Sequence, residues 1–215
     1  MKRVLSPGHL SSVAGLMLMS LLAIGFSTPV AADPMLRVAV RTFNYARVPA
    51  EELQNARLSA EAIFRPAGIS IHWIDCRVPQ SESGAACTEP LGERGELLLR
   101  LTEVVPLTSD RVVALGASML DREQRTGVLM TLDVFPIRAI AEKTSMDPST
   151  LLGRTIAHEM GHLLLGSPGH TKRGLMRAFW SHEELRGLKP AHWQFSRDEG
   201  AQIRYGLTEK GRAAN

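Results

Sequence analysis

The sequence lacks the features that define several large classes of protein. It has only two cysteines, Cys76 and Cys87, and their separation is far too wide for a Cys-x-x-Cys zinc knuckle. It has no internal repeat, no low-complexity tract and no recognisable linker, so we expect a single domain. Its only long apolar stretch, residues 13–26, is shorter than the roughly 20 residues that span a bilayer.

The first 32 residues have the pattern of a cleaved signal peptide. Lys2 and Arg3 precede the apolar stretch, and Val30 and Ala32 supply small residues three positions and one position before the predicted cut. We therefore expect export to the periplasm or the exterior. Removing 32 of the 215 residues leaves 183, and the formal charge falls from +3 to +1 because both basic residues and no acidic residue are lost. Such a mature chain should bind no nucleic acid and have no membrane span.

The beginning of the mature chain predicts a β-α-β unit. Residues 36–43 and 69–74 alternate apolar and polar side chains, as strands with one buried face do. Between them, residues 49–64 place apolar side chains along one side of a helix, which Gly68 and its neighbours end. A helical crossover of this kind joins two parallel, neighbouring strands.

Further strands and helices complete an α+β fold with a mixed, twisted sheet. Residues 96–105 predict a third strand, and residues 112–119 and 127–133 predict a hairpin. Residues 136–143 predict a short helix. A capping box at Ser196 opens a last helix, which we expect to end near Tyr205. We predict a catalytic domain over residues 33–207 and a frayed polar tail over residues 208–215.

The most informative segment is a helix that carries a His-Glu-x-x-His motif. Asp147 is placed as its N-cap, with proline at the first helical position. His158 and His162 stand one turn apart on one face, so both imidazoles can reach a single ion. Glu159 is rotated by about 100° around the axis, where a carboxylate can accept a proton without binding the metal. The opposite face is apolar, as the buried back of a metal-site helix should be.

The residues that follow this motif carry a resemblance to a known family. The run from His158 to His170, with Gly174, Leu175 and Met176 close behind, resembles the metzincin zinc peptidases and most of all their matrixin branch. The resemblance implies a metzincin-like fold, one catalytic Zn²⁺, His170 as the third ligand and Met176 as the residue of a Met-turn beneath the metal.

The spacing departs from the family pattern, and this leaves a second candidate for the third ligand. The pattern places glycine at position 165 and histidine at position 168, where this chain has leucine and proline; Gly166 and His170 come one and two residues late. A helix prolonged by one residue, ended by Gly166 and followed by a turn over residues 167–169, would account for both shifts. The alternative is a zincin whose third ligand is Glu183 or Glu184, on a following helix that Ser181 caps.

The other cysteines and histidines receive structural interpretations. In an exported protein Cys76 and Cys87 most simply form a disulfide, although a regulatory thiol at Cys76 is an alternative. His72 is interpreted as a strand residue, and His182 and His192 as surface or loop residues.

The sequence therefore predicts an exported zinc metalloendopeptidase, a hydrolase that acts as a monomer on peptide or protein substrates. Glu159 would be the general base for a zinc-bound water. Two alternatives stay open: a metzincin-like scaffold that binds zinc without turnover, and a zinc amidase for a non-peptide amide. The retained Glu159 argues against the first, because a structural zinc site gains nothing from that carboxylate.

Overall fold

The structure is a computed structural model, and it describes residues 35–76, 84–91, 95–104, 114–187 and 190–213. The predicted signal peptide, the loop between the cysteines at residues 77–83 and the start of the predicted hairpin at residues 112–113 lie outside these ranges. In the part that is described, no helix is both long enough and apolar enough to cross a membrane.

The chain begins with the predicted β-α-β unit. Strand β1 (Leu36–Asn44) leads into helix α1 (Ala50–Phe64), a short 3-10 turn and strand β2 (Ile69–Cys76). Gly68 ends the turn in the left-handed conformation, which glycine adopts without steric cost. The two strands pair in parallel, with Val38 opposite Ile71. The predicted helical crossover between parallel neighbours is confirmed.

The remaining strands extend this unit to a five-stranded mixed sheet. A one-turn helix α2 (Ala85–Thr88) precedes β3 (Glu96–Thr102), and β4 (Gly116–Asp121) and β5 (Thr126–Asp133) form the predicted hairpin. The strand order is β2-β1-β3-β5-β4; β4 and β5 are antiparallel, and the other neighbouring strands of the described sheet are parallel. This mixed sheet confirms the predicted fold class, and it places β4 at an edge.

Helices follow the sheet in sequence. These are α3 (Val134–Thr144), α4 (Pro148–Leu165), α5 (His182–Arg186), a 3-10 turn (Pro190–Trp193) and α6 (Arg197–Ala213). The last helix is longer than expected. Its apolar stripe continues through Ile203 to Leu207, which packs against the core. The Thr208 hydroxyl donates to main-chain carbonyls of the preceding turn. The expected helix end near Tyr205 is therefore wrong.

The main core lies between one face of the sheet and helices α1 and α4. Alternate residues of the central strands point into it, and fully buried leucines and an isoleucine of α4 meet them there. Burial of each such side chain contributes roughly 1.5–3 kcal/mol. The core therefore fixes α4 across the sheet, next to β4 and β5. The fully buried sheet residues are Val38, Val40, Leu99, Leu101, Met130 and Leu132.

Candidate metal centre

Helix α4 begins and ends as its sequence predicts. The Asp147 carboxylate accepts hydrogen bonds from the main-chain N–H groups of Ser149 and Thr150, which satisfies two of the free donors at the helix start. Gly166 ends the helix in the left-handed conformation, and its N–H donates to the His162 carbonyl. Both ends of the helix are thus defined by local hydrogen bonds.

Three histidines come together at the C-terminal half of this helix. His158 and His162 are buried one turn apart, and the loop after Gly166 brings the exposed His170 beside them. One ring nitrogen of each lies within 4.8 Å of the others. The Nε2 atoms of the two helical histidines are 3.1 Å apart. Two nitrogens bound to one tetrahedral zinc at about 2.05 Å would be separated by about 3.3 Å, close to this spacing.

Main-chain carbonyls fix the orientation of both helical imidazoles. Nδ1 of His158 lies 2.9 Å from the Leu175 carbonyl oxygen, and Nδ1 of His162 lies 2.8 Å from that of Ser167. A carbonyl only accepts, so each Nδ1 carries the hydrogen and each Nε2 presents a lone pair. Two lone pairs 3.1 Å apart repel one another unless a cation lies between them. This tautomer and its carbonyl partners are those of metal-binding histidines.

The burial of the site favours neutral imidazoles. Burial lowers the pKa of His158 to about 4; the hydrogen bond to Leu175 opposes this shift, and the neighbouring histidines add to it. Burial likewise lowers the pKa of His162 and of His170. Neutral imidazole is the form that binds zinc, so the three-histidine donor set fits one zinc ion.

Glu159 lies beside the histidines and is buried, with 6% of its surface exposed. Burial raises the pKa of its carboxyl group, and a hydrogen bond from the Ser118 hydroxyl acts in the opposite direction. Among the described residues, the cluster that could hold a metal consists of the three histidines and does not include Glu159. The carboxylate thus adjoins the metal centre without belonging to the donor set.

Met176 lies beneath the ligand helix. It is 1% exposed, and a Cβ atom built on Gly161 would lie only 2.5 Å from its sulfur. The loop that carries it is closed by a hydrogen bond from the Thr171 N–H to the Met176 carbonyl. The preceding residue, Leu175, provides the carbonyl that orients His158. Met176 thus packs against the helix that carries the two histidines, next to the residue whose carbonyl orients His158.

The two glutamates considered as alternative ligands lie elsewhere. Glu184 completes the capping box of α5 with Ser181 and forms an ion pair with Arg177. The hydrogen bond from the Ser181 N–H and the contact with Arg177 lower the pKa of Glu184 to about 2. Glu183 is exposed. Neither belongs to the cluster of donors, which contains His170 instead.

The remaining candidates lie away from the centre. A disulfide joins Cys76 at the end of β2 to Cys87 in α2, on the side of the sheet opposite β4. His72 and His182 are exposed and His192 is half-buried, and none of them belongs to the cluster.

Several residues of the site escaped the sequence analysis. Ser118 contacts Glu159, and Trp180 packs edge-on against the His158 ring with 5.4 Å between ring centroids. The alternating pattern of β4 places Ser118 on one face, but only the packing of β4 against α4 shows which helix residue it meets. The carbonyls of Leu175 and Ser167 carry no sequence signal at all.

A cavity of about 460 Å³ adjoins the metal centre. Its walls are mainly apolar, and one side carries His158, Glu159 and His170. A mainly apolar cavity of this size with a few polar groups on one side is the usual form of a small-ligand site. The other lining residues are Ala114, Leu115, Gly116, Ile140, Thr155, Arg177, Ala178, Phe179, Trp180 and Leu185.

Comparison with known proteins gives structural matches alone. No family model and no curated protein matches the sequence. A zinc-dependent peptidase from Methanocorpusculum labreanum is 15% identical with a TM-score of 0.47, covering 76% of this chain and 99% of its own. Archaemetzincin from Methanopyrus kandleri is 14% identical with a TM-score of 0.46, covering 80% and 96%. Metalloproteinase-II from Bacteroides fragilis is 13% identical with a TM-score of 0.49, covering 83% and 55%. Similarity at this level does not establish a function.

Proposed function

We propose that this protein is an exported zinc metalloendopeptidase of the metzincin class, matrixin-like in its His-Glu-x-x-His helix and Met-turn. The observation that carries the proposal is the three-histidine cluster with a buried carboxylate beside it that is not a ligand. A structural zinc site is normally closed by four protein ligands, whereas a catalytic site has three and an open position. The predicted signal peptide supports export.

Each residue of the centre has a part in peptide hydrolysis. His158, His162 and His170 would hold the zinc, which when bound polarises the scissile carbonyl and lowers the pKa of a bound water. Glu159 accepts a proton at its carboxylate and later donates it to the leaving amine. Its burial, which raises its pKa, favours both steps near neutral pH.

The surroundings of the site favour an extended peptide as the substrate. Strand β4 is the outermost strand at its side of the described sheet, so its free main-chain groups can pair with an added strand. The cavity beside His170 adjoins one part of this strand, and a groove lined by Ser118, Leu120 and Pro168 follows its other part. A chain can therefore extend past the metal centre in both directions, which favours cleavage within a chain. One protomer supplies every proposed ligand, consistent with a monomer.

Two alternatives remain to be separated from this proposal by experiment. A zinc amidase would use the same centre on a non-peptide amide, and a scaffold would bind zinc without turnover. We expect the protein to bind about one zinc per chain and to digest fluorescein-labelled casein, with activity lost on chelation and restored by zinc. Cleavage of acyl-amide or cell-wall substrates alone would favour the amidase. No cleavage of any of them by the zinc-loaded protein would favour the scaffold.

The Glu159→Gln variant tests the proposed general base. The variant should retain zinc, because Glu159 is not a ligand, while turnover falls by about 10²–10⁴-fold. The matched control is Glu183→Gln, which removes an exposed carboxylate outside the cluster and should change neither quantity. A Glu159→Gln variant with wild-type turnover would remove this residue from the mechanism, and one without zinc would make it a ligand.

A further inference from the structure

Strand β4 contacts helix α4 at the residue to which we assign the proton transfer. The Ser118 hydroxyl oxygen lies 2.6 Å from Oε2 of Glu159 and 2.8 Å from the main-chain carbonyl oxygen of the same residue. One side chain on the edge strand therefore contacts both the carboxylate and the backbone of Glu159. The single hydroxyl hydrogen lies between these two acceptors of Glu159, and this ties the carboxylate to the backbone of the helix on which the histidines lie.

The two carboxylate oxygens have different surroundings. Oε2 is held by the Ser118 hydroxyl, whereas no hydrogen bond from the described residues reaches Oε1. A hydrogen bond to an ionised carboxylate is among the stronger ones in proteins, so it restricts the carboxylate to one rotamer. Oε1 is then the oxygen that remains available for a proton.

Gly116 provides the space into which this carboxylate fits. A Cβ atom built on Gly116 would lie 2.9 Å from Cγ and 3.1 Å from Oε1 of Glu159. The contact with Cγ is short enough that the Glu159 side chain would have to shift. Gly116 and Ser118 are two positions apart, so they belong to the same face of β4, and the exposed Ala117 between them faces away.

We propose that Gly116 and Ser118 are positioning residues that together fix the Glu159 carboxylate, with Oε2 bound to the Ser118 hydroxyl and Oε1 free for proton transfer. This inference rests on the role proposed above for Glu159. Strand β4 therefore has a second role besides pairing with the substrate, because it also positions the carboxylate of the general base. Each acts on the proton transfer through the Glu159 side chain.

The first test removes and restores the hydroxyl group of Ser118. On fluorescein-labelled casein, Ser118→Ala should lower the apparent kcat by about 10- to 100-fold, the effect of losing one hydrogen bond to a charged group, with KM within about twofold. Ser118→Thr, which keeps the hydroxyl, should recover most of the rate. Zinc content should stay at the wild-type value, and Ser118→Thr should restore any loss in the thermal midpoint. The matched control is Ser70→Ala on β2, at the other edge of the described sheet, which removes a hydroxyl that contacts the Leu36 carbonyl and should change neither kcat nor zinc content.

The second test fills the space at Gly116. Gly116→Ala should retain zinc but lower turnover, because the Glu159 side chain has to shift from its position. The control is Gly84→Ala, where a Cβ atom would meet nothing within 4 Å. In a Glu159→Gln background, Ser118→Ala should cause no comparable further loss, since residues that act as a unit are not additive.

Crystal structures of the zinc-loaded variants provide a measurement that does not depend on activity. The Glu159 carboxylate should occupy one position in the wild-type protein and should be displaced or divided between positions in Ser118→Ala and Gly116→Ala. An unmoved carboxylate together with a wild-type kcat would overturn the inference. The inference would also be overturned if Ser118→Ala lost zinc and thermal stability and Ser118→Thr did not restore them, because that result would assign Ser118 a purely structural role. If the wild-type protein cleaves no casein, the proposed function fails, whereas these crystal structures still decide whether the two residues hold Glu159.

Discussion

The helix that carries two of the proposed ligands and the loop that carries the third are built in different ways. His158 and His162 are buried, and each ring is held by a main-chain carbonyl. His170 is exposed, and no hydrogen bond from the described residues reaches its ring. The helical pair is fixed by 3.6-residue periodicity and by packing of the helix back. The loop histidine is placed by the turns on either side of it and by contacts of its ring with the rings of His158 and His162.

This difference shows where the site is preorganised. Main-chain carbonyls hold both helical imidazoles with Nε2 directed toward one another, so metal binding has little else to order there. The loop has to be held in place, and Gly166 and the Thr171–Met176 hydrogen bond are the contacts that do so. Ordering a side chain that is free in the absence of metal costs conformational entropy, which reduces the net contribution of such a ligand.

The largest expected effect comes from removing each histidine in turn. His158→Ala and His162→Ala should lower zinc affinity by more than the roughly 10- to 100-fold that loss of an outer-shell partner causes. His170→Ala should lower it less, to a degree comparable with an outer-shell loss, because part of its binding free energy is spent on ordering the loop. Competition with a chromophoric chelator measures all three affinities.

The control for this comparison is the alternative third ligand. Glu184→Ala should leave zinc affinity unchanged, although it should destabilise α5 by removing the capping box and the ion pair with Arg177. If His170→Ala kept full zinc affinity while Glu183→Ala or Glu184→Ala lost it, the metzincin assignment would be rejected and His170 would not be a zinc ligand.

A second prediction concerns the connection between helix and loop. Gly166 has a φ of +59°, and a Cβ atom on it would lie 2.3 Å from the Arg125 carbonyl oxygen. Gly166→Ala should therefore cost about 1–2 kcal/mol for the left-handed conformation and roughly 1–3 kcal/mol for overpacking. The expected result is a lower thermal midpoint and, since the loop is displaced, weaker zinc binding.

The matched control is Gly206→Ala in helix α6. A Cβ atom there would make only an ordinary contact, 3.7 Å from the Leu164 carbonyl oxygen. Alanine is the better helix former by roughly 1 kcal/mol, so this variant should be neutral or slightly more stable. Equal effects of the two substitutions would show that the Gly166 turn does not constrain the loop.

The contrast between the helical histidines and the loop histidine also explains what could be predicted from the sequence. The two helical histidines, Glu159 and the cap at Asp147 follow from local periodicity and from spacing along one helix. The β-α-β unit and the hairpin follow from alternation and turn residues for the same reason. Local rules thus describe the elements and the residues that each one presents.

Contacts between elements distant in sequence are harder to predict. The partnership of Ser118 and Glu159 spans 41 positions and depends on how β4 packs against α4, which no local pattern specifies. The continuation of α6 past Tyr205 depends on burial of Leu207 against the core. His170 was inferred from a resemblance despite a spacing two residues too long, and the structure brings it beside the helical pair because the helix ends one residue later than the pattern has it.

The smallest expected effect concerns the pH dependence of the metal-free protein. Burial lowers the pKa of His158 from its ordinary value of about 6.5 to about 4. Below pH 6.5 the unfolded chain therefore binds a proton that the folded chain does not, and stability falls as the pH falls. Glu159 acts in the opposite direction, because burial raises the pKa of its carboxyl group in the folded state.

The contribution of His158 should be fully present above about pH 6.5 and lost by about pH 4, and it should amount to no more than about 3 kcal/mol. Urea unfolding of the EDTA-treated protein across this range measures it. His158→Gln should flatten the pH dependence, whereas His170→Gln should leave most of it, because the loop histidine is exposed in the folded state. If His170→Gln flattened the pH dependence more than His158→Gln, the loop, and not the helix, would be the more desolvated part of the metal-free site.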